Sequence, residues 1–175
     1  MTAAAAHLSD PPLAAVPSRS QTGDDNVRAL AAALTKVDTG HRDMRHRFAT
    51  AVGLSDTEFS AVMRVGRAVD LTPKQLAQSL DMTTGAVTAM IDRLESANLI
   101  ERRPNPTDRR SLLLHLSPTG LQLMEWVQDS YYDAVAAAVL TSTGTSTKKV
   151  VQILTELAGA VDDAARKIGA PPFLS

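Results

Sequence analysis

The sequence contains no cysteine among its 175 residues. A disulfide-stabilised fold, thiol-based sensing of peroxides and a cysteine nucleophile are therefore excluded. Because chains without disulfides are typical of reducing compartments, we expect a cytoplasmic location.

Long apolar runs are also missing, and none is long enough to span a membrane. The first 23 residues lack a basic region followed by an apolar core, which argues against a signal peptide. A flexible tail is the simpler interpretation of this segment, and a tail that folds against a partner is the alternative.

Common enzyme signatures are absent as well. The chain has no phosphate-binding glycine loop, no cluster of zinc ligands and no recognisable nucleophile motif. His41 and His46 lie five residues apart and so on different faces of a helix, which disfavours a metal pair. We therefore expect no enzymatic activity, no cofactor and no metal.

The stretch from Leu71 to Ser117 carries the pattern of a helix, a turn, a second helix and two strands. Thr72 and Gln75 predict a capping box at the start of the first helix, and Thr83 predicts the N-cap of the second. Asn98 predicts the end of the second helix, since asparagine tolerates left-handed backbone. Apolar residues spaced by three and four along the second helix predict its buried face: Val87, Met90, Ile91, Leu94 and Ala97. The opposite face carries small and polar residues, which allow close approach to base edges: Thr84, Gly85, Thr88, Ala89, Asp92 and Arg93.

A short hairpin is predicted after the second helix. Leu112, Leu114 and Leu116 alternate along a strand with one buried face, and residues 99–103 supply its partner. The tip at residues 104–108 is rich in proline, asparagine and aspartate, and four arginines flank it: Arg102, Arg103, Arg109 and Arg110. Four guanidiniums on one hairpin suit phosphates and a narrow minor groove. Because the formal net charge is only −1, DNA affinity must come from such local groups.

This arrangement resembles the winged helix-turn-helix core of the multiple antibiotic resistance regulator (MarR) family. The resemblance is carried by IDRLE at 91–95, Leu99-Ile100 with Arg103 after it, Asp108-Arg109-Arg110 and LSPTG at 116–120. It implies that Thr83, Thr84 and Thr88 lie in the major groove of double-stranded DNA and that Arg93 holds a backbone phosphate. It also implies that Arg110 enters the minor groove, with Arg109 beside it, and that Asp108 braces the wing. Two positions depart from the family: Ala89 stands where a basic residue is frequent, and Asn98 where glycine is usual.

The segments on either side of this core are predicted to be helices with an apolar seam, that is, apolar residues spaced by three and four along one face. The first seam runs from Val27 to Phe48 and the last from Val150 to Ile168. We predict a mainly α-helical homodimer with a flexible tail (1–23), a dimerisation helix (24–53), the winged helix-turn-helix core (54–117), C-terminal dimerisation helices (118–169) and a tail (170–175). Ser55 and Glu58 predict a further capping box before the core.

The predicted function is a sequence-specific repressor that binds an inverted-repeat operator. The resemblance further implies release from DNA by a small aromatic or anionic effector, for which the candidate contacts are His41, Met44, Arg45, Phe48, Met63 and Trp126. Packing in a core or a subunit interface is the simpler interpretation of His41 and Trp126. Two alternatives remain open from the sequence: a winged-helix module that acts through protein partners, and a nonspecific architectural DNA binder.

Overall fold

The computed structural model describes residues 21–108, 110–141 and 146–169. Within these ranges the elements are α1 (Gln21–Ala51), α2 (Asp56–Arg67), α3 (Pro73–Ser79), α4 (Thr84–Ser96), β1 (Ile100–Pro104), β2 (Leu112–Leu116), α5 (Pro118–Thr141) and α6 (Thr147–Ala165). The two strands pair antiparallel, with Ile100 opposite Leu116 and Pro104 opposite Leu112. This confirms the predicted mainly α-helical fold with a small β-hairpin wing.

The chain divides into two compact units after Phe59. In the first unit, α1 is mostly exposed from Val27 to Val37, but Phe48 and Ala49 near its end are buried. The rings of Phe48 and Phe59 stack with their centroids 6.1 Å apart. The buried contacts of α1 are therefore gathered at its C-terminal end.

The predicted capping box before α2 is present. The backbone N–H of Glu58 donates to Ser55 Oγ at 3.3 Å, and the backbone N–H of Ser55 donates to Glu58 Oε2 at 3.0 Å. Each side chain thus satisfies a backbone donor that the first turn of a helix leaves without an intrahelical partner.

The core of the second unit lies under the helix-turn-helix and the hairpin. Val87, Met90, Ile91 and Leu94 of α4 are each at most 1% exposed, as predicted. The prediction for Ala97 is wrong, because α4 ends at Ser96 and Ala97 is its exposed C-cap.

The burial predicted for the second strand is only partly correct. Leu114 and Leu116 are buried, but Leu112 is 43% exposed and Leu113 is buried instead. Leu112 pairs with Pro104 next to the hairpin tip, where the strand pair has left the core. On the other side of β2, the Leu114 N–H donates to the Leu71 carbonyl at 2.8 Å, so the strand has neighbours on both edges.

The last helix differs from the others because none of its residues is buried. Exposed large apolar side chains on α6 include Val151, Ile153, Leu154 and Val161. None of the helices within the described ranges is long and apolar enough to cross a lipid bilayer.

Candidate nucleic-acid interface

The start of α4 is set by two caps and one left-handed residue. At the beginning of α3, the Gln75 N–H donates to Thr72 Oγ1 at 3.3 Å and the Thr72 N–H donates to Gln75 Oε1 at 2.9 Å, which confirms the predicted capping box. At the beginning of α4, the Ala86 N–H donates to Thr83 Oγ1 at 3.3 Å. Between the helices Asp81 has φ of 53°, which reverses the chain in a tight turn. These contacts fix where α4 begins relative to α3.

The face of α4 that the sequence assigns to DNA is exposed along its length. Thr83, Thr84, Thr88 and Arg93 are all exposed, whereas the large apolar residues between them are buried, namely Val87, Met90 and Ile91. The Thr88 hydroxyl donates to the Thr84 carbonyl at 2.9 Å, which leaves its methyl group and an oxygen lone pair for other contacts. The Arg93 guanidinium donates to the Ala89 carbonyl at 3.4 Å. All four residues are therefore accessible from solvent, on the part of the helix surface that the buried residues leave open.

The wing tip is organised by the side chain of Asn105, a residue that the sequence placed only in the loop. Its Oδ1 accepts hydrogen bonds from the Thr107 N–H at 2.9 Å and from the Thr107 hydroxyl at 2.8 Å. Its Nδ2 donates to Ser111 Oγ at 2.9 Å, across the base of the tip. Asparagine before a proline was a turn signal in the sequence, but its bonds to both sides of the tip could not be read from it.

The Asp108 side chain is hydrogen-bonded to the backbone of Arg110 at the tip. The Arg110 N–H donates to Asp108 Oδ1 at 3.0 Å, and the Ser111 N–H donates to the Asp108 carbonyl at 3.0 Å. Both Asp108 and Arg110 are exposed. Asp108 therefore shapes the turn that carries Arg110, while Arg109 lies outside the described residues.

The guanidinium of Arg102 is engaged within the protein, contrary to the expectation of four phosphate-facing guanidiniums on the hairpin. Its Nη2 donates to Asp92 Oδ1 at 2.7 Å, and its Nη1 forms a salt bridge with Glu95 Oε2. The Arg102 N–H also donates to Glu95 Oε1 at 2.9 Å. The neighbouring Arg103 pairs with Glu101 of its own strand. Arg102 thus joins the wing to α4.

The junction of α4, β1 and α5 explains the LSPTG motif. Buried Ser117 accepts a hydrogen bond from the Gly120 N–H at 3.0 Å, so it caps α5, and its hydroxyl donates to the Asn98 carbonyl. Asn98 has φ of 54°, as its predicted C-terminal role requires, and its Nδ2 donates to Thr119 Oγ1 at 3.0 Å. A Cβ at Gly120 would lie 2.0 Å from the Leu99 carbonyl oxygen, so this position requires glycine.

The residues proposed for an effector lie in different surroundings. His41 and Met44 are half-buried and Arg45 is exposed on α1, whereas Phe48 is buried against Phe59. In the second unit, Met63 is 6% exposed and Trp126 is 44% exposed. An open groove of about 650 Å³ on the first unit is lined by other residues, namely Asp43, His46, Arg47, Thr50 and Ala51. Among the residues that the structure describes, no group of three or more His, Cys, Asp or Glu side chains is placed to hold a metal ion.

Comparison with known proteins finds one family at this site. The model of the MarR family matches residues 54–112, which include α2, α3, α4 and most of the wing. The multiple antibiotic resistance protein MarR of Salmonella typhimurium is 34% identical over 80 residues, which are 46% of this chain and 56% of that protein. The chain thus spans about half the length of the curated relatives it matches.

Solved structures share the fold over a larger part of the chain. RV1404 from Mycobacterium tuberculosis superposes with a TM-score of 0.65 at 24% identity, over 85% of this chain and 98% of that one. A mutant of MepR from S. aureus, bound to an oligodeoxyribonucleotide, superposes with a TM-score of 0.53 at 15% identity, over 77% of this chain and 97% of that one. Residues 54–112 of this chain, which hold the capped helix-turn-helix and most of the wing, therefore match the MarR family in sequence, and the fold of the chain is the one that these solved structures share.

Proposed function

We propose that this protein is a sequence-specific, DNA-binding transcriptional regulator that acts as a homodimeric repressor on an inverted-repeat operator. The observation that carries the proposal is that two exposed features lie on the same compact unit. The polar face of α4 is free of apolar side chains larger than alanine, and the wing tied to α4 carries the exposed Arg110. A helix of this kind fits the major groove, and an arginine at a wing tip fits the neighbouring minor groove.

Each proposed contact follows from the chemistry of its residue. Thr83, Thr84 and Thr88 offer hydroxyl and methyl groups to base edges, and Arg93 offers a cation to a backbone phosphate. Arg109 and Arg110 meet the minor groove, with Asp108 holding the turn beneath Arg110. The MepR mutant that shares this fold is bound to an oligodeoxyribonucleotide, which supports DNA as the partner of this chain.

The exposed apolar surface of the terminal helices supports a homodimer. Large side chains on α1 and α6 lie open to solvent, including Val27, Leu30, Ile153 and Leu154. Burying such residues against a second copy is favourable at about 25 cal/mol per Å² of apolar surface. A two-fold dimer presents two α4 helices to successive major grooves about one helical turn apart, which defines an inverted repeat.

Release by an effector is the proposed regulation. A small aromatic or anionic compound, such as a phenolic acid, would contact some of His41, Met44, Arg45, Phe48, Met63 and Trp126 and act through different affinities for two conformations. Thermal unfolding of the protein with a panel of phenolic acids tests this. A ligand that raises the unfolding midpoint and weakens DNA binding is expected, whereas a panel without any such compound contradicts the proposal.

The specific-regulator proposal is tested by selecting duplexes from a randomised library. We expect the wild type to recover an inverted repeat, and Thr88→Ala to relax base preference within each half-site while binding to unselected DNA changes little. Recovery of random sequence would favour the architectural alternative. Failure to retain any duplex at low salt would favour action through protein partners.

A further inference from the structure

Arg102 links the two parts of the candidate interface, the wing and α4, across the turn that separates them. Its guanidinium meets two carboxylates, Asp92 and Glu95, which lie three residues apart on one face of α4. The Glu95 carboxylate also accepts from the Arg102 backbone N–H at 2.9 Å. One wing residue therefore makes three contacts with α4. We name this group the clamp, and it consists of Asp92, Glu95 and Arg102.

The clamp is more than an ordinary surface ion pair. The Arg102 side chain is 23% exposed and that of Glu95 is 30% exposed, so solvent screens their interaction less than at the open surface, whereas the Asp92 side chain is 60% exposed and its contact is screened more. A planar guanidinium can bond two carboxylates at once in a fixed geometry, which a lysine ammonium cannot reproduce. By contrast, Arg103 is 58% exposed and pairs with Glu101 within β1, so its contact joins no two elements.

Several attachments hold the hairpin. On β2 the Leu114 N–H donates to the Leu71 carbonyl at 2.8 Å, opposite Arg102 in the strand register, and β1 has two attachments of its own. The first is the turn at Asn98, held by the Ser117 hydroxyl and by Thr119. The second is the clamp at Arg102, which lies within β1 and four residues after Asn98, and the tip that carries Arg110 begins just beyond it at Pro104. Of the two attachments of β1, the clamp lies nearer to the tip and is the one that reaches α4, so it limits how far the tip can move relative to α4.

We propose that Arg102 is a positioning residue for DNA recognition, which acts through Asp92 and Glu95 and makes no phosphate contact itself. The clamp holds the wing tip at a set distance from α4, so that Arg110 and Thr88 reach the same duplex together. This inference rests on the proposed function. It predicts that the energetic contribution of Arg110 depends on the identity of residue 102.

The geometry can be tested without DNA, because a chain without cysteine accepts one pair of labels in each copy, and refolding labelled chains with an excess of unlabelled chains leaves one labelled copy in each dimer. Spin labels are attached through Ala89→Cys on α4 and Thr107→Cys on the wing tip, and their distance distribution is measured by pulsed electron paramagnetic resonance. Arg102→Lys is expected to broaden that distribution, while the matched control Arg103→Lys leaves it unchanged. An unchanged distribution in Arg102→Lys would overturn the clamp.

Binding to the selected operator then separates positioning from direct contact. Arg102→Lys keeps the positive charge, so a phosphate contact would survive, but loss of positioning is expected to weaken binding on the order of tenfold. Glu95→Gln provides the opposite test. If Arg102 contacted a phosphate, Glu95→Gln would free its guanidinium and strengthen binding. Because Glu95 holds the wing in our proposal, we expect Glu95→Gln to weaken binding.

A double-mutant cycle with Arg110→Ala completes the test. In the wild-type background this substitution is expected to weaken binding on the order of tenfold, but in the Arg102→Lys background by no more than about twofold. Additive losses, with unfolding midpoints showing that all variants are folded, would contradict positioning. If the wild type binds no duplex, the proposed function fails, and the label distances still decide whether the clamp fixes the wing.

Discussion

At the scale of single residues, the interface depends on positions where the backbone conformation or a close contact restricts which residue type fits. Gly120 lies against the Leu99 carbonyl, and Asp81 and Asn98 adopt left-handed backbone at the two ends of the helix-turn-helix. Asparagine and aspartate enter this conformation more readily than other residues with a Cβ, which explains why Asn98 can replace the glycine usual in the family. These residues set where α4 begins and where the wing departs from it.

Gly120→Ala is expected to destabilise the second unit by about 1 to 3 kcal/mol or more, because the added methyl group must displace backbone at the α4–β1 turn. Denaturant unfolding followed by circular dichroism measures the change. Gly85→Ala is the matched control, since a Cβ there meets no atom within 4 Å and alanine favours a helix by about 0.5 to 1 kcal/mol. Equal stability of the two variants would contradict the role assigned to Gly120.

At the scale of elements, the sequence predicted correctly those features that depend on residues close together in the chain. Both capping boxes and the N-cap at Thr83 were predicted, because each depends on residues no more than three apart. The clamp could not be predicted, since Arg102 finds its partners seven and ten residues earlier on another element. Periodicity also failed for Ala97 and Leu112, because it gives a face but does not show where the core ends.

Arg110→Ala is expected to weaken operator binding by about 1 to 3 kcal/mol, because an exposed guanidinium at the wing tip is lost. Fluorescence anisotropy with a labelled operator measures the affinity. Arg103→Ala is the control within the same hairpin, since the Arg103 guanidinium is already paired with Glu101 and should contribute less. The wing assignment is wrong if both variants bind as tightly as the wild type.

At the scale of the whole molecule, the exposed apolar residues of α1 and α6 are the feature that one copy of the described chain leaves unexplained. Single exposed apolar residues are normal, but a helix without any buried residue has no packing of its own to stabilise it. A second subunit supplies that packing in our proposal, and the same two-fold axis places two α4 helices on one operator.

Leu154→Glu is expected to shift the protein from dimer to monomer, because it introduces a charge among the apolar side chains of α6. Sedimentation velocity at micromolar concentration measures the shift. The control Lys148→Glu changes charge by more, at an exposed polar position of the same helix, and should leave the dimer intact. A dimer unaffected by Leu154→Glu, or a wild type that is monomeric throughout, would contradict the assignment of α6 to the interface.

The central claim is that the capped α4 and its clamped wing read a specific DNA sequence. It is tested most directly by measuring binding to a duplex from upstream of the protein's own gene and to a shuffled duplex of equal composition across a salt series. We predict tight binding to the native duplex alone, weakening with a log-log slope of roughly 0.9 per phosphate contacted. Equal affinity for both duplexes at every salt concentration would contradict sequence-specific recognition of that duplex.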